Sequence, residues 1–205
     1  MTGAGPHLLK ITPAEHRVMP WKNGLGTTRE IAIDPPDATV TGAGFRWRLS
    51  IANVDQSGPF SAFPGVDRTI MVIKGNGMVL TAAGQAARRL DRCFEPFSFS
   101  GDAAVDCELI DGPVQDFNLM VNRSLLAART EVQNLKGTTR RARVGESCII
   151  YLVSGSADIR AGELQECGRA GDTIVVSHLP PDAALELTQQ GEALVVAMDL
   201  MTVRR

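Results

Sequence analysis

The stretch IMVIKGNGMV, residues 70–79, runs apolar, breaks at Lys74-Gly75-Asn76-Gly77, and resumes apolar. Gly and Asn reach positive φ with little strain, so an apolar run interrupted in this way reads as strand, tight hairpin turn and second strand. The chain repeats the pattern in IIYLVSGSAD, residues 149–158, with Ser154-Gly155-Ser156 at the turn. Each copy is followed by a Gly-Asp pair, Gly101-Asp102 and then Gly171-Asp172, and by a further apolar run, at 118–121 and at 193–199. Strand, turn, strand, Gly-Asp turn and strand, twice over, predict an all-β chain of two modules, residues 1–123 and 124–205, each a small jelly-roll-like β-barrel, packed as one compact unit. A pair of Ig-like sandwiches is the less favoured alternative. Few windows hold a 3.6-residue period, so helix is a minor component, and LLAARTEVQNL, residues 125–135, is the best helix or crossover candidate.

Composition narrows the class of protein. Of 205 residues, 44% are hydrophobic and 21% charged, the balance of an ordinary folded domain. A net charge of −2 gives no electrostatic footprint for nucleic acid or an anionic membrane. The cluster Arg140-Arg141-Ala142-Arg143 is expected to be a solvated turn. The N-terminus lacks a basic-then-apolar leader and no apolar run reaches the roughly 18 residues of a membrane span, so a cytoplasmic protein is expected. Cys93, Cys107, Cys148 and Cys167 stand far apart without a C-x-x-C pair, as free thiols do.

Polar residues concentrate in three places. MPWKNGLGTTREIAI, residues 19–33, crowds Trp21, Lys22, Asn23, Arg29 and Glu30 around two glycines. It reads either as a wet Asn-Gly turn or as the lip of a ligand site. In FRWRLSIA, residues 45–52, Arg46, Arg48 and Ser50 share one face and Phe45, Trp47, Leu49 and Ile51 the other. In DFNLMV, residues 116–121, Asp116, Asn118 and Met120 oppose Phe117, Leu119 and Val121. These polar faces look to solvent in a half-buried sheet, or inward at a site.

In order and spacing, MPWKNGLGTTREIAI, FRWRLSIANV, GPFSAFPGVDRTIMVIKGNG, FSFSGD and DGPVQDFNLMVNR resemble the HutD/Ves family of bicupins. The resemblance is strong over residues 8–123, while the second half carries only a cupin-like pattern. It implies a cytoplasmic two-cupin protein. For the HutD branch it implies an accessory role in histidine utilisation, binding a small acidic intermediate such as urocanate or an N-formylated glutamate. The Ves branch is associated with stress or cold response.

Most cupin enzymes hold a metal through two histidines and a glutamate ahead of the closing glycine of the hairpin strand, with a further histidine later. Laid over this sequence with Gly75 as that glycine, the glutamate position falls on Arg68, the histidine positions near Ser61 and Phe63, and the last near Ala104. An arginine there repels a cation, and His7, His16 and His178 lie elsewhere, so neither metal nor cofactor is expected. A guanidinium in the same place is a fork for a carboxylate. The expected site adds Arg48 and Lys22 as donors, Asn23 and Asn118 as neutral partners, and Trp21, Phe60, Phe63 and Met120 as walls. Ser61 lies at its rim, and Asp67 and Asp116 orient the arginines or accept an N–H from the ligand. The competing reading is that Arg68 with Asp67, and Arg48 with Glu30 or Asp116, are ion pairs pinning strands. A non-catalytic binder of a small carboxylate ranks first. A metal-independent isomerase or hydrolase using Asp67, Asp116 or Glu30 ranks second, and an interaction module third. The second module is expected to be scaffold, and a homodimer through exposed edges is plausible.

Overall fold

The computed structural model describes residues 5–21, 23–40, 44–82, 84–142, 145–180 and 183–203. Apart from a 3-10 turn at Pro13–Glu15, the regular elements among them are strands. In chain order these are β1 (His7–Ile11), β2 (Arg17–Pro20), β3 (Gly26–Asp34), β4 (Trp47–Val54), β5 (Gly58–Phe60), β6 (Val66–Lys74), β7 (Met78–Ala82), β8 (Arg88–Leu90), β9 (Phe97–Ser100), β10 (Val105–Leu109) and β11 (Val114–Asn122). There follow β12 (Leu126–Leu135), β13 (Thr138–Ala142), β14 (Ser147–Ser154), β15 (Ser156–Ala161), β16 (Leu164–Arg169), β17 (Thr173–Ser177), β18 (Ala184–Gln189) and β19 (Ala193–Thr202). No helix among the described residues is long and apolar enough to cross a membrane.

The chain divides into one unit of His16–Leu126 and another of Met1–Glu15 with Ala127–Arg205. The first holds a six-stranded sheet, β2-β3-β4-β11-β6-β9, and a four-stranded sheet, β5-β10-β7-β8. Their facing sides share one apolar core, in which Val54, Ile70, Val72 and Val114 meet Phe60, Met78, Leu80, Leu90, Val105 and Cys107. Each fully buried side chain of this size contributes about 1.5–3 kcal/mol. The second unit repeats the strand order. The series β17-β14-β19-β12 corresponds to β9-β6-β11-β4, and β13-β18-β15-β16 corresponds to β5-β10-β7-β8. The sheets are open and end in edge strands, so each unit is a two-sheet sandwich rather than a closed barrel.

The repeated hairpins depend on their glycines. Gly75 and Gly155 close β6 and β14 at φ of +100° and +73°, where L side chains are strained. A Cβ on either would run into backbone at the entry of the partner strand, Pro113 and Val114 for Gly75, and Glu192 and Ala193 for Gly155.

Three sequence expectations change. The helix or crossover candidate 125–135 is almost wholly strand β12, lying beside β19. Its Ala, Arg and Glu content favours helix in isolation, but buried Leu126 and Leu135 and the sheet neighbour override a weak propensity. Arg140–Ala142 lies in β13, paired with β18, and Arg141 is buried rather than a solvated turn residue. Arg143 lies outside the described residues. Finally, β1 pairs along its whole length with β17, so the first residues belong with the second unit and cover an edge that would otherwise stand open.

Candidate functional site

The polar faces point into the first sandwich. Register sets Arg48, Ser50 and Ala52 of β4 opposite Met120, Asn118 and Asp116 of β11. It sets Arg68, Ile70 and Val72 of β6 opposite the same three residues. Ile70 and Val72 belong to the core between the sheets, so Arg68, Asn118 and Asp116 face the interior with them. The opposite face, with Leu49, Ile51, Phe117 and Leu119, is buried too, which is why period-two alternation here does not separate inside from outside.

The two interior arginines have different surroundings. Arg48 donates from Nε to Glu30 Oε2 at 2.6 Å, both side chains being buried, and its Nη1 approaches Ser50 Oγ at 3.4 Å and Met120 Sδ at 3.7 Å. Arg17 also donates to Glu30, with Nε at 3.0 Å from Oε1. Burial alone would raise the Glu30 carboxyl, but the hydrogen bonds from Arg48 and Arg17 outweigh it and hold it below its ordinary range. Arg48 is thus an ion pair, as one of the sequence readings had it.

Arg68 has no such partner. It is 5% exposed, and its Nη1 reaches the Ser61 carbonyl only at 3.5 Å. Its Nε is buried with no hydrogen-bond acceptor. The guanidinium carbon lies 5.6, 5.5 and 5.1 Å from the ring centroids of Phe60, Phe63 and Phe99, so π-faces rather than a carboxylate surround the charge. Burial pushes Arg68 down to about 10, Asp116 opposes that shift and Arg48 adds to it.

Asp116 lies deeper in the same face, 2% exposed, with Oδ1 lacking a donor, and burial pushes its carboxyl up to about 7 against the pull of Arg68. Asn118, between them along the strands, also has a buried Oδ1 without a donor. Buried polar atoms are normally hydrogen-bonded, and each unmet one costs about 1–3 kcal/mol. One cationic donor and two acceptors are thus left unmet on one interior face.

The remaining sequence candidates divide. Trp21 donates from Nε1 to Thr28 Oγ1 at 2.8 Å and meets Phe60 edge-on at 6.3 Å, packing against the core between the sheets. Phe63 and Met120 lie in an apolar cluster with Val66, Ile33 and Phe45. Asn23 is exposed and its Oδ1 accepts from the Leu25 N–H, closing a turn. Ser61 contributes its carbonyl. Lys22 lies outside the described residues. Asp67 faces away from Arg68 and pairs with Arg123 Nε at 2.9 Å. Phe99, Glu30 and Arg17 complete the surroundings. Glu30 was a sequence candidate as a partner of Arg48, while Phe99 and Arg17 were not, though the alternation in FSFS, residues 97–100, could have pointed to Phe99.

A small cleft of about 20 Å³ shares Phe99 with the site, but its lining of Leu80, Ala82, Gln85, Ala86, Arg88, Phe97 and Val105 holds none of the unmet atoms. Among the described residues no three His, Cys, Asp or Glu side chains group as metal ligands. Two guanidinium groups with two carboxylates do not suit a divalent cation.

The second unit also holds buried charge. Register puts Cys148 opposite Asp199 where the first unit has Arg68 opposite Met120. Arg141 donates to Asp199 at 2.9 Å and to Glu131 at 3.0 Å. Burial pushes the Cys148 thiol up, making it inert. Here the guanidinium has two carboxylate partners through its Nη atoms, and only its Nε lacks an acceptor.

Comparison with known proteins gives the lineage. The HutD family model matches residues 13–195. A 21.2 kDa uncharacterized protein in the hutC 3′ region of Pseudomonas putida is 40% identical over 152 residues, 73% of this chain and 77% of that protein. Protein Ves of Cronobacter sakazakii is 39% identical over 137 residues, 66% of this chain and 71% of its own. The solved structure of HutD from Pseudomonas fluorescens SBW25, in a formate condition, is 33% identical, with a TM-score of 0.78 over 97% of this chain and 100% of that one. At 8% identity, Lactobacillus farciminis oxalate decarboxylase shares the fold, with a TM-score of 0.69 over 95% of this chain and 86% of that one. The all-β architecture is therefore cupin-like, and the chain belongs to the HutD family.

Proposed function

We propose that this protein is a metal-independent receptor for a small carboxylate metabolite, bound inside the 16–126 unit with its carboxylate on Arg68. The observation that carries this reading is the buried guanidinium without a carboxylate partner, its Nε unmet. Charge-assisted, forked hydrogen bonding to a carboxylate is what such a group does best. Asn118 receives an N–H or O–H of the ligand, Asp116 exchanges a hydrogen bond with it, and Trp21, Phe60, Phe63 and Phe99 form apolar walls. The two units are two cupin-type modules, a reading supported by their common strand order and repeated hairpin. Membership of the HutD family, and a relative from the hutC 3′ region, support a role in histidine utilisation with urocanate or an N-formylated glutamate as ligand.

A thermal-shift screen against urocanate, N-formylglutamate, histidine and glutamate tests it. One acid should raise the melting temperature saturably, and Arg68→Met should abolish the shift. Shifts that survive in Arg68→Met would remove the assignment.

One observation favours an enzyme as the second reading. Asp116, pushed up to about 7, is poised as a general acid or base near neutral pH. Turnover of the stabilising acid, lost in Asp116→Asn, would select that reading over a binder.

A further inference from the structure

We propose that carboxylate binding at this site takes up one proton, held by Asp116, so that the protein releases its ligand as the solution turns alkaline. This deepens the receptor reading and rests on it.

Asp116 stands opposite Val72, and Arg68 stands opposite Met120, so both residues lie on one interior face, four residues apart along the strands. At about 3.3 Å per residue this separates their backbones by about 13 Å, most of which the long arginine side chain and a small ligand can span. A ligand carboxylate on Arg68 therefore brings negative charge toward Asp116 through an interior of low dielectric.

The charges around Asp116 decide the consequence. β3 contributes Glu30 and β4 contributes Arg48, already bound to each other at 2.6 Å. β6 contributes Arg68, and β10 contributes Cys107, whose thiol burial and Asp116 hold up at about 12. The facing side chains of β7 and β9, Met78, Leu80, Phe97 and Phe99, carry no charge. β2 adds Arg17, which reaches Glu30 from the exposed side, where water screens its charge. With Asp116 ionised, the two buried arginines balance two buried carboxylates, and the ligand is a net extra anion in the interior. With Asp116 protonated, the extra anion is matched by Arg68, and burial already favours that neutral form.

Hydrogen bonding points the same way. An ionised Asp116 can only accept, so its unmet Oδ1 repels a second carboxylate or carbonyl oxygen. Protonated, it supplies an O–H. Binding and protonation are then linked, each favouring the other.

Calorimetric titration of N-formylglutamate into the whole protein tests this, because neither of its carboxyl groups titrates between pH 6 and 9. Repeating the titration in buffers of different ionisation heat counts the protons taken up. About one proton per ligand is expected at pH 8.5 and almost none at pH 5.5, with affinity falling toward tenfold per pH unit on the alkaline side. Asp116→Asn keeps the shape of the side chain, and its affinity should be flat with pH and its proton uptake zero. Wild-type binding without proton uptake at pH 8.5, or the same uptake in Asp116→Asn, overturns the coupling and leaves the receptor intact. Should Asp116→Asn fail to fold, the wild-type proton count decides alone. Absence of binding at every pH overturns the receptor for this acid and the coupling with it.

Discussion

Arg48 and Arg68 are buried to the same extent, and their substitution should have opposite consequences. Arg48→Met leaves Glu30 inside the sandwich with only the exposed Arg17, and should destabilise the fold by about 3 kcal/mol in urea unfolding. Arg68→Met strands no paired carboxylate and fills the same volume among Phe60, Phe63 and Phe99. Its unfolding free energy should stay within about 1 kcal/mol of wild type, or rise. Asp116 has a raised folded-state pKa, so between about 4 and about 7 the folded protein holds a proton that the unfolded chain releases. Its contribution to stability is therefore full below pH 4 and declines as pH rises to 7, by on the order of 4 kcal/mol at most. Asp116→Asn removes that slope, and its advantage over wild type should grow with pH across this window in parallel unfolding titrations. The sequence made these side chains visible, because strand alternation and the motif position of Arg68 single them out. It left open which arginine is paired. That depends on the reach of Glu30 across from β3, and on Asp67 turning to Arg123, contacts that no local pattern encodes.

At the scale of elements, the hairpins were the most legible feature, since a Gly-containing turn between apolar runs has few alternatives. Gly155→Ala tests the point. Positive φ costs about 1–2 kcal/mol for an L residue, and the collision with the Glu192 backbone adds about 1–3 kcal/mol. Gly84→Ala, at φ +75° with open space around it, should lose only the first part, so the two variants separate by their unfolding free energies. Equal losses would mean that backbone approach at the β14–β15 turn is unimportant. Strand β12 was illegible for the complementary reason. Its residues favour helix locally, and its strand state comes from pairing far away in sequence. Arg141 was misread in the same way. A run of arginines looks solvated until Glu131 and Asp199 are brought to one of them from distant strands.

At the scale of the whole molecule, the internal repeat was readable from two hairpins and two Gly-Asp pairs, and the common strand order of the units follows it. The division of the chain was less readable, because β1 leaves its sequence neighbours to pair with β17. The units have the same strand order and different interiors. In one, Arg141 donates to two carboxylates, Asp199 and Glu131, with only its Nε unmet, while in the other Arg68 faces no carboxylate within hydrogen-bond reach and Asp116 and Asn118 each keep an unmet oxygen. The proposal of a ligand site in one unit and a structural role for the other rests on that difference. The most direct test is an isothermal titration, at pH 6.5, of the acid that stabilises the protein into wild type and Arg68→Met, with unfolding measured on both. The account predicts one site in wild type, weakened by about 2–5 kcal/mol, at least about 30-fold, in a variant that unfolds no earlier. Equal affinity in the two proteins, or loss of binding only alongside loss of the fold, would contradict it.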